Sequence, residues 1–91
     1  MTGEPTNRFE LMQSALTVIS TLEENIDNDS LHSQLEEARN YIAQASRHVG
    51  TAVFENKFSK AIGMASSVAI TTGHDELAAE ALNLGGEENE Q

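Results

Sequence analysis

Apolar residues recur along most of this chain at intervals of three and four, the repeat of one face of an α-helix. Between Phe9 and Ile26 two such rows run side by side, one through Phe9, Met12, Leu16, Ile19 and Ile26, the other through Leu11, Ala15, Val18 and Leu22. Two adjacent rows make a face wide enough to touch two neighbouring helices, which predicts a bundle rather than an isolated hairpin. The pattern predicts a first helix over about residues 7–26. Thr6 or Asn7 can cap it, and Glu10 stands three residues after Asn7, as a capping box requires.

Asn25–Ser30 is a turn cluster, because Asn, Asp and Ser side chains bond their own backbone in competition with the helix. Asp29 or Ser30 is the expected cap of a second helix over about 31–49. Its apolar residues Leu31, Leu35, Ala38, Ile42, Ala45, Val49 and Ala52 alternate in steps of four and three without interruption, a heptad pattern. The Ala positions let a partner helix come close, while Leu, Ile and Val supply burial. The row from Leu31 to Val49 is therefore read as a self-association seam, and the chain is expected to form a homodimer.

Gly50 and Thr51 interrupt this register. Gly50 is expected in the left-handed C′ conformation, Arg47 and His48 suit a helix C-terminus, and Thr51 can cap a new start. The apolar register then moves to Phe54, Phe58, Ala61, Ala65 and Val68, which predicts a third helix over about 52–71. One long kinked helix over 31–71 is the alternative, since Gly inside a helix costs only about 1 kcal/mol. Thr71-Thr72-Gly73 ends the third helix. Asp75 or Thr72 starts a short fourth one over about 75–84, and Gly85-Gly86 is expected to stop it. Residues 1–6 read as a disordered lead-in and 85–91 as a flexible acidic tail. The fold expected over 7–84 is one all-α domain, a small antiparallel bundle of three main helices and a short C-terminal one.

Composition agrees with helices and narrows the chemistry. Among the 91 residues are three Phe, one Tyr and no Trp, too few aromatics for an ordinary β-domain. There is no Cys, which excludes disulfides, thiolate catalysis and Cys-based metal sites. No basic region followed by an apolar run marks a signal peptide, and no stretch approaches the ~20 apolar residues that span a bilayer. The expected location is the cytoplasm, with no membrane partner.

Charge changes the picture most. The formal net charge is −10, and it is uneven. Residues 1–30 hold six acids and the single base Arg8; residues 61–91 hold six acids and no base. The middle third balances Glu36, Glu37 and Glu55 against Arg39, Arg47, Lys57 and Lys60. Such a chain repels nucleic acid and favours a basic partner. Glu23, Glu24, Asp27 and Asp29 form the most suggestive cluster. At the end of the first helix these acids oppose the helix dipole, although they also stand beside the start of the second, where they help. They are the expected contact for a protein with a basic surface. Direct nucleic-acid binding through the four central bases is not expected.

Candidate catalytic groups are sparse. His32 and Glu36 share a helix face and His74 adjoins Asp75 and Glu76, so a metal or catalytic role for His32 or His74 is the outlying alternative. A first-turn His beside exposed acids accounts for both, and His48 suits a helix end. No nucleophile elbow and no phosphate-cradling loop is present, and no cofactor is expected. The sequence thus reads as a non-enzymatic acidic interaction module, an inhibitor, adaptor or small regulatory protein. In size and charge it resembles small phage-encoded inhibitors of host defence or transcription. That resemblance implies the alternative of a nucleic-acid mimic, occupying the groove of a DNA- or RNA-binding enzyme.

Overall fold

The computed structural model describes residues 8–86, which form four α-helices and no strand: α1 Arg8–Asn25, α2 Asp29–Ser46, α3 Ala52–Thr71 and α4 Asp75–Gly86. The expected lead-in 1–6 and the tail from residue 87 onward lie outside the described residues.

Turn chemistry decides each boundary. Between α1 and α2 the cap is Asn28, one residue before the expected Asp29. Its backbone is extended, and its side-chain oxygen accepts from the Leu31 N–H at 3.0 Å. Asp29 and Ser30 lie inside the helix because the ladder already begins with the His32 N–H on the Asn28 carbonyl. The His32 ring N–H at Nε2 donates to the Ile26 carbonyl at 2.6 Å and ties the turn to the helix that follows.

Helix α2 stops at Ser46, short of the expected 49. The Arg47 and His48 N–H groups bond to the Gln44 and Ala45 carbonyls, tightening the chain into a turn over 47–50. Gly50 does not take the expected left-handed conformation, because these three-residue bonds reverse the chain without it. Thr51 caps α3 as expected, accepting from the Val53 N–H at 3.2 Å. The turn rules out one long helix over 31–71.

The left-handed glycine stands one turn further on, at Gly73 (φ +81°). The Gly73 N–H reaches the Ile70 carbonyl and the His74 N–H reaches the Ala69 carbonyl, the paired bonds of a Schellman closure. The Thr72 hydroxyl donates back to the Val68 carbonyl at 2.9 Å, so Thr72 closes α3 rather than opening α4. Gly85 and Gly86 do not stop α4 but form its last turn. A Cβ on Gly85 would stand 3.3 Å from the Ile62 side chain. Glycine there lets the end of α4 settle against α3, and that packing holds the turn helical.

Short turns make consecutive helices antiparallel. Pairings across them agree: Lys57 and Lys60 of α3 lie over the Tyr41 ring of α2, and Gly85 of α4 meets Ile62 of α3. Among the described residues α1 touches the other three helices, whereas α2 and α4 do not touch. Ile19, Leu22, Leu35, Phe54 and Val68 are the largest fully buried side chains. Helices α2 and α3 are in the most extensive contact. Both bury alanines, Ala38 and Ala45 on one and Ala61, Ala65 and Ala69 on the other, which allows close backbone approach.

The heptad row requires a correction. Leu35, Ala38, Ile42 and Ala45 are buried within the chain's own core, and Leu31 and Val49 are half-buried. The row closes the bundle rather than lying on its surface as a seam. Helical spacing marks a face that is covered, and here the cover is intramolecular.

Candidate functional site

The topology sorts the charged residues by end. Because successive helices reverse, the α1–α2 turn and the α3–α4 turn lie at one end of the bundle, 39 Å along its longest dimension. Glu23, Glu24, Asp27 and Asp29 therefore share an end with Asp75 and Glu76, although more than forty residues of sequence separate the two groups. All but Glu23 are exposed. No Lys or Arg lies in residues 20–38 or 61–86, so the one Arg that reaches this end is Arg39, through Glu23. Asp29, Asp75 and Glu76 occupy first helical turns, where the dipole favours them by roughly 0.3–1 kcal/mol each at most. Glu24, in the last turn of α1, has no such reason to be there.

Glu23 is only partly available. Its carboxylate accepts from Arg39 of α2 at 2.7 Å, and Arg39 also donates to the Ser20 hydroxyl at 3.3 Å. An ion pair this exposed contributes roughly 0.2–1 kcal/mol. Its structural role is to pin α1 to α2 near the acidic end.

A second pin stands at the opposite end. The Arg8 guanidinium donates to the Val49 carbonyl and to Glu55 at 3.1 Å, and lies 4.6 Å from the centroid of the Phe54 ring. Phe54 in turn stacks on Phe58 at 5.3 Å. Sequence reasoning missed this use of Arg8. The available signal was its isolation, since it is the first base in the chain and the next is Arg39. Exposed Arg47 lies in the turn at this end as well.

Between the two pins α1 and α2 do not close fully. An open groove of about 490 Å³ runs between them, with Phe9, Met12 and Leu16 on the α1 side and Ile42 and Ala43 on the α2 side. Gln13 and Ser46 line its lip, and Arg39 is its only charged lining residue. Phe9, at its mouth, is 65% exposed, the most exposed large apolar residue in the described structure. The rows of apolar residues on α1 thus divide. Ala15, Val18, Ile19 and Leu22 fill the core, while Phe9 and Leu16 remain at the groove.

The histidines sit apart from one another. His32 is engaged with the Ile26 carbonyl, His74 Nδ1 is 2.9 Å from the Thr72 hydroxyl, and His48 is exposed in the α2–α3 turn. Glu36 is exposed on α2. Among the described residues no three His, Asp or Glu side chains group to hold a metal ion. The four central bases do not converge: Arg39 faces α1, Arg47 lies in a turn, and Lys57 and Lys60 flank Tyr41. No helix among the described residues is long and apolar enough to cross a membrane. No protein-family model, curated protein or solved structure matches the chain.

Proposed function

We propose that this chain is a non-enzymatic interaction module whose acidic end docks on a basic surface of a partner protein. The supporting observation is the convergence of two acidic segments, remote in sequence, on one end of the bundle, where the one Arg in reach, Arg39, is taken up by Glu23. Carboxylates gathered in this way add their potentials, which steers a basic partner and orients it on approach. A nucleic-acid mimic asks instead for carboxylates spaced in a row along one face. The clustering at an end favours the basic protein surface.

The test compares equal charge changes at two places. Glu24→Gln with Glu76→Gln neutralises two exposed acids of the acidic end; Glu37→Gln with Glu80→Gln neutralises two exposed acids on the body of the bundle. Binding of a fluorescent oligolysine peptide is followed by anisotropy at low salt and at about 0.15 M, where the screening length is about 8 Å. The acidic-end pair is expected to weaken binding about tenfold, or about 1.4 kcal/mol, and the body pair less than threefold. Equal weakening by both pairs would mean that only net charge matters and would overturn the reading.

A further inference from the structure

We infer that the groove between α1 and α2 is a docking site for a cationic amphipathic helix of the partner. The inference rests on the reading just given, a partner with a basic surface, and specifies the chemistry of the contact.

Three features of the groove argue for it. First, its walls are apolar on a chain of net charge −10, and its one charged lining residue, Arg39, is already neutralised by Glu23. An occupant must therefore present an apolar surface there. Second, the groove is open along its length rather than closed around a small volume. From Phe9 to Leu16 the α1 side extends about 10 Å at 1.5 Å per residue, roughly two helical turns and the span from i to i+7. A helix seated along it would present apolar side chains at i, i+3, i+4 and i+7, the usual mode of groove recognition. Third, the rim is charged in a graded way. Helical geometry places exposed Glu24 on the outer flank of α1 and exposed Glu36 on the outer flank of α2, both toward the acidic end. At the Phe9 end the bases Arg8 and Arg47 stand alongside the acids Glu10 and Glu55, so that end carries no such excess. The gradient favours a helix whose apolar face fills the groove and whose Lys or Arg residues lie beside Glu24 and Glu36.

Two peptides of about 15 residues and identical Leu/Lys composition provide the probe. In one the leucines fall on a single helical face; in the other the order is scrambled. Anisotropy is measured at about 0.15 M ionic strength. The amphipathic peptide is expected to bind at least tenfold more tightly than the scrambled one. Ala43→Glu is the diagnostic variant. It fills the groove wall at an exposed position with a good helix former, so the fold is retained, as an unchanged circular-dichroism melt would verify. It also adds a negative charge. Simple electrostatic attraction predicts equal or tighter binding, whereas groove docking predicts at least a tenfold loss for the amphipathic peptide alone. Phe9→Ala should weaken the same peptide severalfold. If both peptides bind equally, or if Ala43→Glu leaves the amphipathic one unaffected, the groove proposal is wrong while the acidic-end reading stands. If Glu24→Gln with Glu76→Gln leaves oligolysine binding unchanged while Ala43→Glu still abolishes amphipathic binding, the acidic-end reading fails and the groove stands on Glu36 alone. Glu36→Gln should then weaken the amphipathic peptide severalfold; no effect there overturns the cationic helix as occupant. Light scattering on the free chain covers the other occupant: a dimer that Ala43→Glu dissociates would assign the groove to a second copy and overturn the proposal.

Discussion

Helix α2 is bordered by α3 on one side and by α1 on the other, and the two borders are closed to different degrees. Toward α3, buried alanines on both helices allow close approach, and Lys57 and Lys60 cover the Tyr41 ring at the edge. Toward α1, contact is held by core residues in the middle and by the Arg39–Glu23 pair near one end, while at the other end Arg8 ties α1 to the α2–α3 turn and to α3, and an open groove lies between. The difference teaches that a helix can contribute its largest residues to a core and still leave part of its length outside that core. Ile19 and Leu22 of α1 are fully buried, yet Phe9, on the same helix, is mostly exposed.

Substitutions graded by expected effect would sharpen that contrast. Leu35→Ala truncates a fully buried side chain of α2 and should lower unfolding free energy by about 2–5 kcal/mol. Denaturant titration would measure it, with all helices lost together. Arg8→Ala removes a half-buried group with three partners and should cost about 1–3 kcal/mol. Amide exchange should then accelerate in α1 more than in α2 or α3; uniform acceleration would mean that α1 is not a separable element. Glu23→Gln should cost only about 0.2–1 kcal/mol, and the difference from the parent should shrink as salt is raised. Phe9→Ala should leave stability within about 0.5 kcal/mol, because most of that side chain is already in water. A larger loss would show that the groove is closed in solution.

The helices themselves were legible because their apolar spacing is regular, and Thr51 was legible as a cap because it directly precedes an apolar run. The glycines misled. Gly50 and Gly73 are equally suited to a left-handed turn by residue type, and the choice depends on which carbonyls the following N–H groups can reach. The heptad row of α2 carried the strongest periodic signal and the wrong location, since spacing does not say whose surface covers a face. The acidic cluster at Glu23–Asp29 was visible in one dimension. Its union with Asp75 and Glu76 required the order of turns, and the withdrawal of Glu23 into a pair with Arg39 required three dimensions. The groove left no sequence signal at all, because it is a distance between two helices, each of which looks ordinary alone.

The ring order of the helices bears on how the chain reaches this structure. Each helix packs on its neighbour in sequence, and among the described residues only α1 reaches past its neighbour, to α3 and α4. Contacts of such short sequence span cost little loop entropy, and helical chains dominated by them fold in about microseconds to milliseconds. The α2–α3 hairpin, with the most extensive contact and a five-residue turn, is the natural nucleus. Substitutions there should slow folding, whereas Arg8→Ala should mainly speed unfolding. A stopped-flow chevron in which Arg8→Ala moves the folding arm instead would place α1 in the nucleus. On the expected order, α1 docks last and leaves first, and the groove beside it is the molecule's seam of assembly in time as well as in space.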